Sequence, residues 1–581
     1  MNATTVFQGV KKIQGALSVL AALHLTSHKW PQQAVIQDGA SFDFIIVGAG
    51  SAGSVIANRL TEIDTATVLL IEAGGDPPIE SVLPGLSQFN KNTKADWNYT
   101  SEGDGYTQQF HKNQSADLTR GRVLGGSSSI NFLVYSRGNS HDYDNWAQLT
   151  GDDTWRWDNV LPYFRKSERL EDPNVLSSPD SFYHGTRGYL GVTKNYNQAV
   201  VNYLQAFEEV GNDIVLDTNG NKPLGYTESM FTISDGTRQS TAESFLIPAK
   251  DRPNLFVLKN TLASKILFDD YRNAIGVEAI LENNTTVIYN ANKEVIISAG
   301  AINTPQLLML SGIGPAKHLK ELGINIISDL PVGQNLQDHV LVIVAHKMGQ
   351  ATPAKPLDFT TFTKPLIIGF AALNKTKTYP DYQTVSFVLN DPSPMLQICS
   401  FTSSFYPEIC EALYDRCRGH EVFFSTVSLA YPESRGHIYL RSADPKDKPL
   451  IYMRYYSNDN DLVNHAKYVQ DFIGVQDSKY FKSVNAELVV PEICGCDEHS
   501  NNDYWKCYTI CMMVTGYHYV GSCPMGSVVD SNLKVYGVQR LRVADASVMP
   551  VITGGNTNAP TIMIGEKISD MIKVEHYFYL P

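Results

Sequence analysis

The chain has 581 residues, of which 43% are hydrophobic and 18% charged, and its formal net charge is −13. This length exceeds what one hydrophobic core supports, so we expect at least two domains. The negative charge argues against nucleic acid as a partner, and no apolar run reaches the roughly 18 residues that a membrane span needs.

An apolar segment lies near the start of the chain. Lys11 and Lys12 precede the apolar run at residues 15–23, which has the size and flanking charge of a signal-peptide core. The cleavage site is poor because Leu25 stands where a small residue is required. We treat residues 1–40 as an N-terminal segment and candidate signal peptide, with an amphipathic helix packed on the protein as the alternative.

A β-forming run at residues 42–47 leads directly into Gly48, Gly50 and Gly53, and an apolar face predicts a helix over residues 54–60. In a nucleotide-binding turn the first glycine permits the tight turn. The second lets the backbone approach a pyrophosphate, and the third lets helix and strand pack closely. The helix start offers free N–H groups to phosphates.

A second strand is predicted at residues 67–71 and ends at Glu72. This acid follows the glycines by about twenty residues, the spacing of a carboxylate that binds a ribose hydroxyl. The order of strand, glycines, helix, strand and acid predicts a dinucleotide site, and it leaves FAD and NAD both open.

Residues 80–118 are polar and rich in turn-forming residues, which is typical of a surface excursion or lid. Residues 120–131 then combine glycines and hydroxyl side chains. Such a segment can run its backbone along a flat ligand. A serine-rich turn that caps a following helix is the alternative.

A helical and loop-rich region is predicted over residues 143–230, followed by strands from residue 254 onward. A second strand–glycine–helix unit spans residues 294–312. Thr304 is a natural N-cap and Pro305 suits the first helical position, so we expect the helix to start there.

The character changes at residues 340–511, where strand patterns at 421–424 and 436–440 alternate with loops. This predicts an antiparallel sheet with flanking helices, in a separate substrate domain. Residues 541–547 read as a buried strand that returns to the first domain. An amphipathic helix is expected at residues 559–572.

All eight cysteines lie between Cys399 and Cys523, mostly in two groups: Cys399, Cys410 and Cys417, then Cys494, Cys496, Cys507 and Cys511. Local disulfides in an oxidising compartment explain this grouping. Zinc, with His499 as a further ligand, is the rival, but the single residue between Cys494 and Cys496 is too short for the usual spacer, so we predict no metal. Acceptor sequons at Asn98, Asn113, Asn283, Asn284 and Asn374 are compatible with secretion.

Two further motifs carry candidate chemistry. His518 lies among aromatic residues and glycines, which suggests a tight pocket wall, and the pKa of histidine suits it to accept a hydroxyl proton. A buried structural histidine is the alternative. Asn558 precedes the last predicted helix, either as a catalytic group or as a simple N-cap.

The sequence resembles the glucose–methanol–choline (GMC) flavoprotein oxidoreductases over nearly its whole length. The motifs that carry the resemblance are the glycines at 48–53 with Glu72, the segments 121–131, 298–314 and 332–339, the strand end 542–547, and the His518/Asn558 pair.

The resemblance implies FAD as the cofactor. It implies an ADP moiety on Gly48–Gly53 and Glu72, an isoalloxazine near residues 127–131, and Asp545 and Ala546 near the diphosphate and ribityl chain. The cofactor-binding residues that we predict are Gly48, Gly50, Ser51, Ala52, Gly53, Glu72, Ala73, Arg122, Gly125, Ser127, Ser128, Asn131, Val257, Asp545 and Ala546. Members with covalent flavin can carry histidine where this chain has Ile130, so we expect non-covalent FAD.

By resemblance the catalytic residues are His518 and Asn558. His518 would accept the substrate hydroxyl proton while the carbinol hydride passes to flavin N5, and Asn558 would hydrogen-bond the same oxygen. Protonated His518 would then stabilise negative charge on the reduced flavin. Tyr519 stands where the family usually has proline, which is a departure beside the catalytic histidine.

The predicted fold class is α/β, α+β overall, with a Rossmann-like FAD-binding domain and a substrate domain built on an antiparallel sheet with flanking helices. We assign residues 41–79, 115–150, 235–340 and 525–581 to a discontinuous FAD-binding domain. Residues 80–114, 151–234 and 341–524 form the lid and substrate-binding domain.

The motifs and the cysteines around Trp505 resemble the insect branch of the family. Tyr517 and Tyr519, with aromatic stretches at 359–362 and 365–373, favour a flat apolar alcohol over a sugar. We expect oxidation of the 3-hydroxyl of an ecdysteroid to the ketone, with O2 reduced to hydrogen peroxide, in a secreted enzyme. An insect sugar or choline-type dehydrogenase with another acceptor, a lyase with structural FAD, and a non-catalytic flavoprotein stay open.

Overall fold

The structure is a computed structural model, and it describes residues 3–22, 29–353, 358–496 and 501–578. Within these ranges no helix combines the length and the apolar character needed to cross a membrane.

The α-helices of the described residues are α1 (Ala3–Ala22), α2 (Gly53–Leu60), α3 (Ile79–Val82), α4 (Ser140–Thr150), α5 (Trp157–Ser167), α6 (Pro173–Leu176), α7 (Val201–Glu209), α8 (Ile247–Ala249), α9 (Gly300–Leu310), α10 (Ala316–Glu321), α11 (Ser393–Gln397), α12 (Pro407–Cys417), α13 (Asp459–Ile473), α14 (Lys479–Ser483), α15 (Asn501–Cys511) and α16 (Asn558–Glu575).

The strands are β1 (Ser41–Val47), β2 (Val68–Ile71), β3 (Tyr99–Thr100), β4 (Asp117–Leu118), β5 (Glu168–Leu170), β6 (Leu190–Lys194), β7 (Gly225–Glu228), β8 (Met230–Phe231), β9 (Ile233–Ser234), β10 (Thr237–Arg238), β11 (Leu255–Leu258), β12 (Leu262–Phe268), β13 (Ala274–Ile280), β14 (Thr286–Ile297), β15 (Val340–Gln350), β16 (Leu366–Ala371), β17 (Tyr382–Leu389), β18 (His420–Leu429), β19 (His437–Tyr439), β20 (Leu450–Tyr452), β21 (Glu487–Val489), β22 (Met513–Thr515) and β23 (Leu541–Val543).

The first large sheet has the strand order β11-β2-β1-β14-β13-β12, with β23 paired to β14. Strands β11, β2, β1, β14 and β23 run parallel, and β13 and β12 extend the sheet as antiparallel neighbours. The end of β1 and the whole of β2 are continuous apolar runs because they are buried on both faces. Three distant parts of the chain thus meet in one sheet, while the domain boundaries given above stay a prediction.

The last helix, α16, packs against α2 and α5. Our expectation of an amphipathic helix at 559–572 was wrong, because α16 is buried around most of its circumference. Two of its charged residues are buried in ion pairs: Arg59 bonds Glu566 over 2.8 Å, and Lys573 bonds Glu62 over 2.7 Å.

The second large sheet has the order β21-β15-β18-β17-β16-β7, with β22 paired to β15, and every pairing is antiparallel. This confirms the expected mixed α/β class with an antiparallel sheet. Side chains alternate between the two faces of a strand. One face packs against α7, α12, α13 and α14, and the other faces a cavity between the two sheets.

Helix α1 covers most of the N-terminal apolar segment. Its Val10 and Leu17 lie buried in a cluster with Leu86, Phe89 and Phe401. This packing agrees with the helical alternative for residues 1–40, and whether the segment is cleaved stays a prediction.

Three disulfides lie within the described residues: Cys399–Cys410, Cys494–Cys511 and Cys496–Cys507. The two cysteine groups recognised in the sequence supply all of them. Cys417 and Cys523 are buried free thiols. His499 lies outside the described residues, within which no group of three or more His, Cys, Asp or Glu side chains could hold a metal.

Candidate active site

A cavity of about 360 Å³ runs from the glycine turn after β1 to the inner face of the second sheet. The predicted site residues that line it are Gly48, Gly50, Ser51, Ala52, Glu72, Ala73, Ser127, Asn131, His518, Asp545, Ala546 and Asn558. The fold therefore brings together motifs from both ends of the chain.

The three glycines of the turn have different tasks. Gly48 has a φ of +100°, and a Cβ there would lie 2.4 Å from the carbonyl oxygen of Ser298. A Cβ on Gly53 would lie 1.9 Å from the carbonyl oxygen of Gly48. A Cβ on Gly50 would meet no atom closer than 3.9 Å. Gly48 and Gly53 thus serve backbone packing, whereas Gly50 leaves room on the cavity side.

Glu72 braces this turn from the end of β2. Its carboxylate accepts hydrogen bonds from the amides of Ala49 and Gly74, both over 2.9 Å. Burial raises the pKa of Glu72 to about 7, although both amide bonds oppose the shift. The carboxylate therefore holds the glycine turn and also lines the cavity, and its contact with a ribose stays a prediction.

The glycine- and serine-rich segment at residues 120–131 passes close to the glycine turn at residues 48–53. Gly125 adopts a φ of +86° and starts the 3₁₀ turn Gly126–Ser129. A Cβ on Gly126 would lie 2.7 Å from the Cα of Gly50, so only glycine permits this approach. Further along, Arg238 donates to Oδ1 of Asn131 over 2.6 Å, which fixes the Asn131 side chain.

The second strand–glycine–helix unit is tied to Asp545. Its carboxylate accepts from the amide of Gly300 over 2.8 Å and from the hydroxyl of Thr304 over 2.6 Å. The predicted start at Thr304 was wrong: α9 begins at Gly300. The Thr304 hydroxyl serves Asp545, so it does not cap the helix.

Pro305 consequently lies inside α9. Proline has no N–H, so the carbonyl of Ala301 loses its partner one turn later. The hydroxyl of Ser522 donates to that carbonyl over 2.6 Å. A hydroxyl from the His518 loop thus repairs the helix beside the cavity.

Five predicted cofactor residues are not among those that line the cavity: Gly53, Arg122, Gly125, Ser128 and Val257. Ser128 supports the turn by donating to the carbonyl of Gly125 over 2.6 Å. Arg122 is exposed and packs over Trp97 at 5.0 Å. Val257 is buried within β11, and the cavity is lined instead by Thr261, Leu262 and Ala263.

The residues present fit an FAD-sized dinucleotide. The glycines at 50 and 300 offer bare backbone on the cavity wall, where an added Cβ would find almost no protein atom. The amides of Ser51 and Ala52, just before α2, donate to no described residue. Such amides at a helix start suit a pyrophosphate.

His518 lies in the loop after β22 and is held at both ring nitrogens. Its Nδ1 lies 2.9 Å from Nδ1 of His339, and its Nε2 lies 3.0 Å from Nδ2 of Asn556. Its backbone amide donates to Asp338 over 2.7 Å. Burial, reinforced by the neighbouring His339 and Arg120, lowers the pKa of His518 well below its ordinary value of 6.5. The ring is therefore a neutral base at pH 7.

The structure does not pair His518 with Asn558 as expected. Asn558 is the first residue of α16, and its Oδ1 accepts from the hydroxyl of Ser51 over 2.8 Å. The helix start directs Asn558 back to the glycine turn, whereas Asn556 stays in the loop beside His518. The asparagine that hydrogen-bonds His518 is thus Asn556, which the sequence analysis did not single out.

Sequence reasoning missed three side chains around His518 and Asn556. They are Asp338, His339 and Gln383. The first two fall in the loop at 332–339 that carried the family resemblance, which was a usable signal. Gln383 lies on β17 and donates to Oδ1 of Asn556 over 3.0 Å. No local pattern in the sequence distinguishes it from other strand residues.

The two tyrosines beside His518 both contact other parts of the protein. Tyr517 has a φ of +60° and donates to the carbonyl of Thr402 over 2.8 Å. Tyr519 stacks under the guanidinium of Arg120, 4.7 Å from its ring centre. The tyrosine at the usual proline position therefore gains a cation–π partner.

The cavity wall on the second sheet is largely apolar. Alternate residues of β15, β17 and β18 line it: Leu341, Ile343, Gln383, Val385, Phe387, Phe424, Thr426 and Ser428. From the aromatic stretches at 359–362 and 365–373, only Leu366 lines the cavity. Those stretches mostly pack elsewhere, so the apolar wall comes from strands that the sequence did not single out.

Models of the GMC oxidoreductase family match residues 42–341 and 432–565. The chain is 38% identical over 571 residues to the ecdysone oxidase of Bombyx mori, covering 95% of this chain and 85% of that protein. It is 34% identical over 554 residues to the glucose dehydrogenase [FAD, quinone] of Drosophila melanogaster, covering 92% and 87%. A variant of the formate oxidase from Aspergillus oryzae RIB40, whose structural study concerns FAD modification, superposes with a TM-score of 0.80 at 27% identity over 94% of this chain and 100% of that one.

Proposed function

The chain belongs to the GMC oxidoreductase family, and from this premise we propose that it oxidises the 3-hydroxyl of an ecdysteroid to the ketone, with O2 as the electron acceptor. It is an FAD-dependent enzyme that acts on CH–OH donors, as its family and relatives are. When bound, FAD supplies the acceptor for the hydride that leaves the carbinol carbon. Ile130 lines the cavity where covalent members can carry histidine, which supports non-covalent binding.

His518 takes the hydroxyl proton at Nε2. This nitrogen is hydrogen-bonded to Asn556, and a substrate oxygen that replaces this bond can donate its proton to His518 while it accepts from Nδ2 of Asn556. Proton removal raises the electron density on oxygen, and this favours departure of the hydride. Asn556 thus takes the role that we first gave to Asn558. Asn558 instead steadies Ser51 at the cofactor turn.

The apolar wall of the second sheet is the observation that carries the substrate class. Phe387, Phe424, Val385 and Leu341 offer contact to a flat hydrocarbon, and apolar residues outnumber polar ones on this wall. A steroid nucleus buries such a surface, whereas a sugar would leave many hydroxyls without partners. The 38% identity to an ecdysone oxidase adds support.

A sugar dehydrogenase is the second candidate. Thr426, Ser428 and Gln383 line the same wall and could each bond a sugar hydroxyl. The 34% identity to a glucose dehydrogenase supports this second candidate.

We further propose that the protein is secreted. Three disulfides lie in the described residues, and such bonds persist in oxidising compartments. Asn113, Asn283, Asn284 and Asn374 are exposed, as glycan acceptors must be.

The deciding experiment mixes the FAD-loaded protein anaerobically with ecdysone, glucose or choline and follows loss of the yellow flavin absorbance by stopped flow. We expect fast reduction by ecdysone and fast reoxidation by O2. Fast reduction of the flavin by glucose alone would contradict the ecdysteroid proposal and identify the protein as a sugar dehydrogenase. Reduction by any of the three excludes a lyase or a merely structural flavin.

A further inference from the structure

We propose that Gln383 and His339 are positioning residues that keep Nε2 of His518 unprotonated, through one directional chain of hydrogen bonds. The proposal rests on the assignment of His518 as the base in the proposed function. The proposal adds that the second sheet sets the tautomer of His518, because this sheet holds both ends of the hydrogen-bond chain.

The carbonyl oxygen of Ala430 fixes the direction. Nε2 of His339 lies 3.1 Å from it, and a carbonyl only accepts, so Nε2 carries the proton. Burial lowers the pKa of His339 to about 4, so the ring is neutral at pH 7 and its Nδ1 is an acceptor. That nitrogen lies 2.9 Å from Nδ1 of His518, which must then donate.

The other half of the chain follows from this proton. With its proton on Nδ1, His518 has a free lone pair at Nε2, which accepts from Nδ2 of Asn556 over 3.0 Å. Oδ1 of Asn556 in turn accepts from Nε2 of Gln383 over 3.0 Å. A rotated Asn556 amide would set two acceptors face to face at His518 and two donors face to face at Gln383. One arrangement therefore satisfies every group.

Both ends of the chain are anchored in rigid structure. Gln383 is 3% exposed and lies in β17, paired with Ser428 of β18. His339 is 1% exposed and immediately precedes β15. His518 and Asn556, by contrast, lie in loops. The charged and titratable side chains that face His518 are Arg120, Asp338, His339, Tyr517 and Tyr519. None but His339 bonds its ring.

The test uses the FAD-loaded enzyme and whichever alcohol reduces it fastest. Gln383→Leu and His339→Leu remove the two ends, and His339→Asn retains an amide oxygen that can accept from His518. We expect both leucine variants to slow anaerobic flavin reduction at saturating alcohol by about tenfold or more. The half-saturating concentration should change little, and His339→Asn should recover most of the rate. Gln239→Leu, at another buried glutamine away from the cavity, should match the wild type.

A double-mutant comparison separates positioning from general damage. In a His518→Ala background, Gln383→Leu should cause no further loss of rate if it acts through that ring. Equal additional loss in the absence of His518 would overturn the proposal, as would leucine variants with the wild-type rate. If His518→Ala itself reduces its flavin normally, the proposed function fails at the base, and this outcome is distinct from failure of the positioning chain alone.

Discussion

Nδ2 of Asn556 lies 3.0 Å from Nε2 of His518, although 38 residues separate the two in the chain. Asn556, and not Asn558, is the asparagine that is hydrogen-bonded to His518. A substrate hydroxyl that replaces this hydrogen bond meets one acceptor and one donor, which is the combination that alcohol oxidation requires.

The first prediction separates the two asparagines. Asn556→Ala removes a donor to the developing alkoxide, and loss of one such donor slows chemistry by about a hundredfold. Asn558→Ala removes the acceptor for Ser51 at the cofactor turn, so it should weaken FAD retention and leave reduction of the loaded enzyme close to normal. Stopped-flow reduction and the FAD content after gel filtration measure the two effects. Reversed effects would restore Asn558 as the catalytic residue.

The second prediction concerns pH. The neutral form of His518 is the active base, so the rate of anaerobic flavin reduction falls when the ring binds a proton. Because burial, together with His339 and Arg120, lowers its pKa, we expect the rate to stay level through the ordinary histidine pKa of 6.5 and to fall only at lower pH. A half-maximal rate at or above pH 6.5 would contradict the burial of the ring. Circular dichroism over the same range controls for unfolding.

The third prediction concerns the cysteines. The Cα atoms of the three pairs lie 5.6, 5.8 and 5.7 Å apart, a normal spacing for disulfides. Peptide mapping of the alkylated, unreduced protein should recover Cys399–Cys410, Cys494–Cys511 and Cys496–Cys507. Burial raises the pKa of Cys417 to about 12, so this thiol should react with alkylating agents only after denaturation. A peptide that links Cys417 to Cys399 or Cys410 would contradict the pairing.

Local sequence patterns correctly predicted those features that depend on residues close together in the chain. The glycine turn with Glu72 follows from the backbone space that a βαβ unit requires, and the local cysteine groups follow from their spacing. Long-range contacts decided the rest. The start of α9 moved from Thr304 to Gly300 because Asp545, 241 residues later, takes the threonine hydroxyl. Gln383 reaches Asn556 only because β17 faces the cavity, and no spacing in the sequence reports that.

The fourth prediction tests the repair of α9. Ser522→Ala leaves the buried carbonyl of Ala301 without a donor, which should destabilise the fold by about 1–3 kcal/mol. Pro305→Ala restores a backbone N–H one turn after that carbonyl. The double variant Pro305→Ala/Ser522→Ala should therefore be more stable than Ser522→Ala alone, a coupling that two independent defects would not show.

Unfolding midpoints of the FAD-loaded proteins measure this coupling. Ser569→Ala serves as the matched control, because its hydroxyl also donates to a helix carbonyl, that of Gly565, but this carbonyl keeps its own backbone donor at position 569. Loss of the Ser569 hydroxyl should destabilise the fold little, because the carbonyl of Gly565 still accepts from the backbone N–H. If Ser522→Ala is as mild as Ser569→Ala, the hydroxyl of Ser522 does not replace the N–H that Pro305 lacks.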